Sequence, residues 1–498
     1  ESLSVGPSLS ALSIPPWREW LQRTPTLAFP DDARLERAYD LARGALRALY
    51  TQPDPSTTGL VAGYPWYAAL WCRDLAWMLP AVLWMGDPEW TQAAIDTVFH
   101  FQARVRVPLL GAEVGELPMQ ISPGPVFLFG TSDTSLYYPE LVRRLVQHTG
   151  RTDAARSWWP RLLAIAGWAQ RKCDPGSGLF ANGGEVSELR DAATTIGSMH
   201  FGFDAVDTTI WDSTDRRDHA VDLQVLHHRA LSALAEVGRS IGEDADAAGW
   251  TSQAERIAAA LNSRYGWAQE SYLYDSLARD GTPVPHLRPN ALRVVSAGLL
   301  PPDRARAIVE RASRPDLSTP WGVRTLSDRD PGFHPMAYHD GQVWTIATAW
   351  AADACFAVGD VARGMGYLHQ NADRLIEENG LANECYRGDA YVPFDSCFLL
   401  GFSIAPFLSI LFERVWGLSV DAVEGVLRVA PQFPEGWRSA SLHHLRIGVG
   451  FVDLDWADAA LEVAWEGPGT LQVVVEGTSA RLAPGDRLGL PLPGRQRS

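Results

Sequence analysis

The stretch WCRDLAWMLPAVLWMGDPEWTQAAIDTVFHFQARV, residues 71–105, decides the fold because it predicts two helices joined by a very short link. Apolar residues recur at helical spacing on both sides of Gly86-Asp87. Pro88, directly after an aspartate, is typical of a helix start. A link of two residues makes consecutive helices antiparallel neighbours. The stretch therefore predicts a helical hairpin.

The same periodicity predicts twelve helices in all. They lie near residues 34–50, 71–85, 88–105, 133–149, 152–171, 217–240, 244–265, 289–298, 302–313, 341–358, 360–377 and 396–415. The links after every second helix are a few residues long, whereas the other links are long and rich in Gly, Pro and aromatic residues. This alternation puts all long loops at one end. Six hairpins closed into a ring satisfy it, so we predict an all-α (α/α)6 barrel, with an open solenoid of hairpins as the alternative.

The pattern changes after Trp416 to short alternating segments broken by Pro and Gly. Segments such as 425–429, 445–449 and 471–475 predict strands. We therefore expect three parts: an N-terminal extension over residues 1–30, the barrel over residues 31–417, and a small β-rich appendage over residues 418–498. We expect the appendage to be structural rather than catalytic.

The net negative charge of the chain limits the kinds of molecule that it can bind. The 498 residues carry a formal net charge of -16, and Lys172 is the single lysine. Such a surface disfavours nucleic acid and anionic membranes, and no apolar run is long enough to span a bilayer. Sugars carry no charge, and the flat rings of tryptophan, of which there are 20, suit stacking on them. We expect an oligosaccharide or small glycoside as the partner, although most of these rings belong in the core.

The five cysteines are scattered without a Cys-x-x-Cys pair. This spacing indicates neither a disulfide framework nor a structural zinc site. Free thiols fit a reducing compartment, so we expect a cytoplasmic protein that needs no metal or organic cofactor. The chain begins at Glu1 rather than at a methionine, which leaves a removed leader open.

The first long loop carries candidate sugar-binding residues. It holds Gly-Tyr-Pro-Trp-Tyr over residues 63–67 and then Trp-Cys-Arg-Asp over residues 71–74. An Arg-Asp pair can hydrogen-bond adjacent sugar hydroxyls while an aromatic ring forms the floor. The alternative is a structural ion pair at a helix start. We favour binding because aromatic residues flank the pair, and the candidates are Tyr64, Trp66, Trp71, Arg73 and Asp74.

The third long loop supplies a candidate general acid. It contains Trp211-Asp212 within residues 209–217 and leads into the sixth predicted helix. An acid directly after Trp211 can lie in an apolar wall, where burial raises its pKa and keeps a proton available near neutral pH. The alternative is a helix N-cap. Asp215 and Asp218 are better placed for capping, so Asp212 is our candidate for the acid.

The two last long loops complete the predicted site. The loop before the tenth helix interleaves hydrogen-bonding groups with aromatic rings, and its candidates are Trp321, His339, Gln342 and Trp344. The loop before the last helix contains Asn383-Glu384-Cys385-Tyr386. Glu384 is the second candidate carboxylate. Taken alone, a glutamate at such a position is more often an exposed loop residue.

Taken together, these motifs resemble the amylo-α-1,6-glucosidase domain of glycogen-debranching enzymes. The resemblance covers about residues 60–415. Its motifs occur in the family's order: residues 63–67, residues 71–74, Ser132-Asp133, Trp211-Asp212, residues 338–344 and Glu384. The acid loop is also similar to that of the trehalase and processing α-glucosidase families, which have Trp-Asp-x-Ser-x-Arg and a later Val-Asp-Leu-Asn. Here the latter is Val221-Asp222-Leu223-Gln224.

The resemblance implies a glycoside hydrolase that inverts the configuration at the anomeric carbon. Asp212 would be the general acid and Glu384 the general base, with Asp133 and Arg217 among the substrate-binding residues. Cys72, Thr345 and residues 398–403 depart from the debranching pattern. We therefore expect either an amylo-α-1,6-glucosidase-like enzyme or a hydrolase of small α-glucosides or α-mannosides.

Inversion makes a geometric prediction. The two carboxyl groups should lie roughly 6.5–9.5 Å apart, which leaves room for a water beside the base. Two alternatives stay open: a disaccharide phosphorylase, which uses phosphate in place of water on a similar barrel, and a carbohydrate-binding protein without catalytic activity.

Overall fold

The computed structural model describes residues 14, 16–107, 111–122, 127–182, 209–211, 214, 216, 218–394, 396–457 and 460–491. Within these residues the chain forms thirteen α-helices. They are α1 Trp17–Arg23, α2 Ala33–Ala48, α3 Cys72–Trp84, α4 Pro88–His100, α5 Thr134–Thr149, α6 Thr152–Lys172, α7 Val221–Ile241, α8 Ala247–Ser263, α9 Asn290–Ser296, α10 Pro302–Ala312, α11 Thr345–Ala357, α12 Val361–Glu377 and α13 Gly401–Ile410. A π-helical turn, Leu411–Val415, follows α13. The twelve helices predicted from the sequence correspond to α2–α13, whereas α1 lies outside the predicted set.

The helices form two layers. The odd-numbered helices from α3 to α13 contact one another in chain order, and α13 contacts α3 in turn. Each even-numbered helix packs against one or two of these odd-numbered helices. Burial follows the same division, since α11 is buried at nearly every position while α12 is buried along one face. The odd-numbered helices therefore form the inner layer and the even-numbered helices the outer one.

Side chains from five inner helices meet around Arg293 of α9. Its guanidinium carbon lies 5.2 Å from the ring centre of Trp77, 5.7 Å from that of Tyr137 and 5.1 Å from that of Trp350. One guanidinium nitrogen is 3.8 Å from Asp222. These residues belong to α3, α5, α11 and α7, so a buried cation enclosed by aromatic rings fills the space between the inner helices.

The long connections all run from an outer helix to the next inner helix. They lie together at the end where the inner helices begin, as the alternation of link lengths predicts. Short strands stiffen them: β2 Tyr50–Asp54, β3 Thr57–Leu60, β4 Gly63–Tyr64, β5 Leu70–Trp71, β6 Gln120–Ile121, β7 Phe127–Leu128, β8 His219–Ala220, β9 Gly266–Trp267, β10 Tyr272–Leu273, β11 Ser276–Leu277, β12 Pro283–Val284, β13 Ser318–Thr319, β14 Gly322–Arg324, β15 Val343–Trp344, β16 Cys385–Tyr386 and β17 Leu399–Leu400. Strands of two residues carry no period, so the sequence does not predict them.

Strands dominate the chain after the last helix. They are β18 Leu418–Asp421, β19 Val426–Val429, β20 Ser439–Ile447, β21 Gly450–Ala457, β22 Ala460–Glu466, β23 Leu471–Val475, β24 Thr478–Leu482 and β25 Arg487–Pro491. They form a sheet in the order β18-β19-β23-β24 and a sheet in the order β20-β21-β22-β25. A further strand, β1 Thr26–Ala28, pairs antiparallel with β20. This part of the predicted N-terminal extension therefore joins the C-terminal sheet.

The C-terminal strands pack on the end of the helices that carries the short links. The N–H of Ala422 donates to the carbonyl of Gln147, and the N–H of Gly448 donates to the carbonyl of His148. Arg446 donates to the carbonyl of Gly86 at 3.2 Å. All three contacts lie opposite the long loops. Among the described residues, no helix combines the length and the apolar character needed to cross a membrane.

Candidate active site

Glu384 is buried, with 2% of its surface exposed, and is not the exposed loop residue that its position alone would suggest. The next two residues form β16, which pairs antiparallel with β15 so that Cys385 lies opposite Trp344. The N–H of Glu384 donates to the carbonyl of Cys397 at 3.0 Å. Backbone pairing on both sides therefore holds this carboxylate at the start of α11 and α13.

Two phenols connect to the Glu384 carboxylate. The hydroxyl of Tyr338 donates a short hydrogen bond to Oε1 of Glu384, and the hydroxyl of Tyr67 lies 3.2 Å from that of Tyr338. Since Tyr338 has one proton to donate and directs it to the carboxylate, Tyr67 is the donor to Tyr338. Burial, and next the charge of Glu384, raises the pKa of both phenols above the ordinary value. Both phenols therefore stay protonated and stabilise the ionised form of Glu384.

Aromatic rings from three long loops and from the first turn of α13 lie around this carboxylate. The ring of Trp344 lies 4.8 Å from Tyr338, 5.3 Å from Trp211 and 5.8 Å from Phe402. Its indole N–H donates to the carbonyl of Tyr338 at 2.8 Å. Trp71 meets Tyr67 edge to face at 5.5 Å. Flat apolar surfaces next to a buried carboxylate suit the apolar face of a sugar ring.

Arg73 and Asp74 lie in the first turn of α3, and both are buried. Arg73 forms an ion pair with Asp133 at 2.8 Å. Arg73 also donates to the carbonyl of Thr209 at 2.9 Å. The charge of Asp74 contributes to raising the pKa of Tyr67, although burial and Glu384 contribute more. The structure thus brings Arg73 and Asp133 together, and it places Asp74 close enough to Tyr67 for its charge to affect that phenol.

Trp211 is fully buried, and its indole N–H donates to Oδ1 of Asn290 at 2.8 Å. Asp212 and Arg217, the predicted acid and one predicted binding residue, lie outside the described residues. Their roles, and the separation of roughly 6.5–9.5 Å expected for inverting enzymes, stay predictions.

The other candidates fall into two sets. Tyr64 and Trp66 are exposed at the rim, with 38% and 66% of their surfaces accessible. The second set supports the loops from within. Trp321 donates to the carbonyl of Arg387 at 3.1 Å, and Gln342 donates to the carbonyl of Met336 at 3.1 Å. The ring of His339 packs against those of Tyr338, Trp344 and Trp211.

Sequence reasoning missed several residues of the site. Tyr67 and Tyr338 occur within the quoted motifs, but the partner of a phenol depends on how two distant loops meet. Asp275, a buried carboxylate between β10 and β11, has no motif around it. Arg216 follows Asp212 closely, so its position in the acid motif was the signal that could have identified it.

In the part of the chain that the structure describes, no group of three or more His, Cys, Asp or Glu side chains is arranged to hold a metal ion.

Comparison with known proteins gives a family and a fold. The sequence model of the amylo-alpha-1,6-glucosidase family matches residues 43–408. No curated protein matches the sequence. A sialidase structure is similar with a TM-score of 0.70 and 13% identity, covering 96% of this chain and 42% of its own. The GH63 mannosylglycerate hydrolase from Thermus thermophilus, in complex with Tris and D-glycerate, has a TM-score of 0.57 and 16% identity, covering 76% of this chain and 100% of its own.

A putative kojibiose phosphorylase from human microbiome has a TM-score of 0.59 and 8% identity, covering 95% of this chain and 61% of its own. At these identities the likeness shows the fold alone. The chain spans less than half of the sialidase and less than two thirds of the phosphorylase.

Proposed function

We propose that this chain, which belongs to the amylo-α-1,6-glucosidase family of glycoside hydrolase-like (α/α)-barrel proteins, hydrolyses an α-glycosidic bond with inversion. The observation that carries the proposal is the hydrogen bond from Tyr338 to the buried carboxylate of Glu384. A buried carboxylate that accepts a hydrogen bond from a phenol beside an aromatic wall can act as a general base.

We also propose that the helices form a closed (α/α)6 barrel over residues 31–417, with a β-rich appendage over residues 418–498. The return contact from α13 to α3 supports closure, as do the side chains of five inner helices that meet around Arg293. Closure brings the loops of Trp211 and Glu384 to one cavity although they are far apart in the sequence.

The reaction proceeds in one displacement. Asp212 protonates the leaving oxygen while Glu384 accepts a proton from a water on the opposite face of the sugar. The water oxygen bonds to the anomeric carbon as the glycosidic bond breaks, through a transition state that resembles an oxocarbenium ion. Arg73, Asp74 and Trp344 hold the sugar ring, so that only the anomeric carbon meets the two carboxyl groups. An uncharged oligosaccharide or small glycoside fits the aromatic surfaces of the loops.

Phosphorolysis is the second candidate, because a putative kojibiose phosphorylase shares the fold. In that reaction phosphate takes the place of the water. A phosphate anion at this position would meet the carboxylate of Glu384, and like charges at short range repel each other. The phenol pair strengthens this argument, since it stabilises the ionised carboxylate. Hydrolysis is therefore the reaction that the site favours.

A panel of α-linked glucosides, trehalose and mannosylglycerate, assayed with and without phosphate, tests the reaction. NMR of the first-formed sugar anomer reports inversion or retention. We expect turnover without phosphate and an inverted product. Turnover that requires phosphate would establish the phosphorylase instead, and tight binding without turnover at any pH would indicate a carbohydrate-binding protein.

Two variants separate the acid from the base. Asp212→Asn should lose hydrolysis of poor leaving groups but retain activity on glycosyl fluorides, which need no proton. Glu384→Gln should lose both activities, because the water is not activated in either case. Glu377→Gln, at the end of α12 where its carboxylate accepts from Tyr391, is the matched control and should be fully active. Full activity in Glu384→Gln would overturn the assignment of the base.

A further inference from the structure

We propose that a buried ion network centred on Asp275 positions the loop that carries Asp212, which makes Asp275 a positioning residue for the acid step. The inference rests on the proposed function, because it concerns the same reaction. Asp275 lies between β10 and β11 and is 3% exposed.

The core of the network is one guanidinium between two carboxylates. Arg216 donates from Nε to Oδ2 of Asp275 at 2.6 Å and from Nη2 to Oδ1 at 3.0 Å. Its Nη2 also donates to Oδ1 of Asp222 at 2.6 Å. All three residues are buried. Burial alone would raise the pKa of Asp222, but the charge and hydrogen bond of Arg216 lower it below the ordinary value. Asp222 therefore stays ionised opposite Arg216.

Two hydrogen-bond paths lead from this core to the first part of the acid loop. Arg216 donates from Nη1 to Oγ1 of Thr209 at 2.9 Å. Asn290 donates to Oδ1 of Asp275 at 2.7 Å and accepts the indole N–H of Trp211 at 2.8 Å. Thr209 and Trp211 are thus both tied to Asp275 through one intermediate side chain.

A third path reaches the loop after Asp212. A guanidinium nitrogen of Arg288 lies 3.5 Å from Oδ2 of Asp275, and another nitrogen donates a short hydrogen bond to Asp340. The hydroxyl of Thr214 donates to the same Asp340 oxygen at 3.2 Å. Described residues on both sides of position 212 are therefore connected to Asp275.

The charges explain why Asp275 is central. Arg216 and Arg288 both face its carboxylate, which lies where water does not reach. Removing the carboxylate charge leaves two buried guanidinium groups with one partner fewer each, which is strongly unfavourable. Thr209 and Trp211 hydrogen-bond to groups that contact Asp275, so rearrangement of these charges would displace the residues beside position 212. Displacing a catalytic group by about 1 Å can reduce a rate about a hundredfold.

The test uses Asp275→Asn, which keeps the shape of the side chain and removes its charge. The first measurement is hydrogen exchange of the peptide covering residues 209–218, which we expect to become faster. The second is the ratio of kcat/KM for a glycoside with a poor leaving group to kcat/KM for the glycosyl fluoride. We expect this ratio to fall by about tenfold or more. The ratio does not depend on the fraction of protein that is folded, so partial unfolding does not confuse it.

Asp316→Asn is the matched control. It breaks a comparable pair, in which Nη2 of the buried Arg311 lies 2.9 Å from Oδ2 of Asp316. The side chains that hydrogen-bond this pair, Glu270 and Ser327, belong to other loops than the acid loop. We expect a lower Tm but an unchanged ratio and unchanged exchange over residues 209–218.

Unchanged exchange in Asp275→Asn would overturn the network. Faster exchange with equal losses on both substrates would overturn the positioning of the acid. If the wild-type protein cleaves neither substrate, the proposed function fails, and the exchange measurement alone then decides whether Asp275 holds the loop.

Discussion

A phenol that donates to a carboxylate affects both the orientation of the carboxylate and its proton affinity. Tyr338 does this to Glu384, and Tyr67 donates to Tyr338 in turn. Hydrogen bonds to charged groups contribute about 1.5–3 kcal/mol, so Tyr338→Phe should reduce kcat/KM by roughly ten- to a hundredfold. The pKa of Glu384 should rise when the donor is lost. The acidic limb of the pH profile of kcat/KM should therefore move to higher pH.

Substitutions at two further tyrosines serve as a comparison and a control for this experiment. Tyr67→Phe should shift the acidic limb in the same direction by less, because Tyr67 acts through Tyr338. Tyr391→Phe removes a hydroxyl that donates to Glu377 at an exposed position, and it should leave the profile unchanged. An acidic limb that stays in place in Tyr338→Phe would show that the phenol does not stabilise the ionised form of Glu384.

His148 gives a prediction about stability rather than activity. Burial lowers its pKa from 6.5 to about 4. Between these values the unfolded chain binds a proton that the folded chain does not, so stability falls as the pH drops through 6.5 and levels off below about 4. At about pH 5 this one residue should lower the free energy of unfolding by about 2 kcal/mol.

Urea unfolding at pH 7 and pH 5 measures this effect. His148→Gln removes the titration, so its free energy of unfolding should change less between the two pH values than that of the wild type. An equal change in both proteins would mean that other groups cause the acid sensitivity.

At the residue scale, the sequence predicts which residue types form the site better than it predicts their contacts. It singles out Glu384 and Trp344, and backbone pairing places them side by side. It predicts that Arg73 and Asp74 bind sugar hydroxyls, but it does not predict the ion pair that Arg73 forms with Asp133. Adjacent side chains at the start of a helix point in different directions, so sequence proximity does not determine the partner.

At the scale of elements, the contact between β4 and β17 joins the first long loop to the last one. Gly63 lies opposite Leu400, and a Cβ at this glycine would come within 2.5 Å of the carbonyl oxygen of Leu399. Gly63→Ala would push the strands apart. It should lower the free energy of unfolding by about 1–3 kcal/mol and also reduce kcat/KM, because Cys397, which accepts the N–H of Glu384, lies close to β17.

Gly249→Ala is the control for this substitution. Gly249 lies in α8 with no atom near enough to meet a new Cβ. Alanine there should increase stability by about 0.5–1 kcal/mol and leave kcat/KM unchanged. Thermal unfolding and steady-state kinetics measure both variants. A Gly63→Ala protein with wild-type kinetics would show that the two loops are not coupled through these strands.

Element lengths explain which parts of the fold can be predicted. Helices of ten or more residues, such as α7 and α12, repeat the apolar period several times, so the sequence reveals them. The loop strands are mostly two residues long. Each of these strands pairs with residues elsewhere in the chain, as Trp344 does with Cys385. A local sequence pattern therefore does not reveal the strands.

At the scale of the whole molecule, we expect the two ends of the helical layers to have different roles. The alternation of link lengths predicts that the long loops share one end, and Tyr67, Trp211, Tyr338 and Glu384 meet there. The packing around Arg293 cannot be predicted in this way, since Trp77 and Arg293 are far apart in the sequence. The C-terminal strands pack on the other end, so changes there should affect stability without affecting catalysis.

Arg446 tests this separation of roles. Its guanidinium lies 2.9 Å and 2.8 Å from the two carboxylate oxygens of Glu89, which ties β20 to the start of α4. The pair is partly exposed to solvent, so Arg446→Ala should lower the free energy of unfolding by about 1 kcal/mol and leave kcat/KM unchanged. Arg487→Ala, whose partner Glu462 is 4.0 Å away at an exposed position, should change neither quantity. Urea unfolding and steady-state kinetics on the same preparations measure both. If Arg446→Ala lowered kcat/KM while its stability stayed the same, the strands would be coupled to the site across the whole length of the helices, and the separation of roles would be wrong.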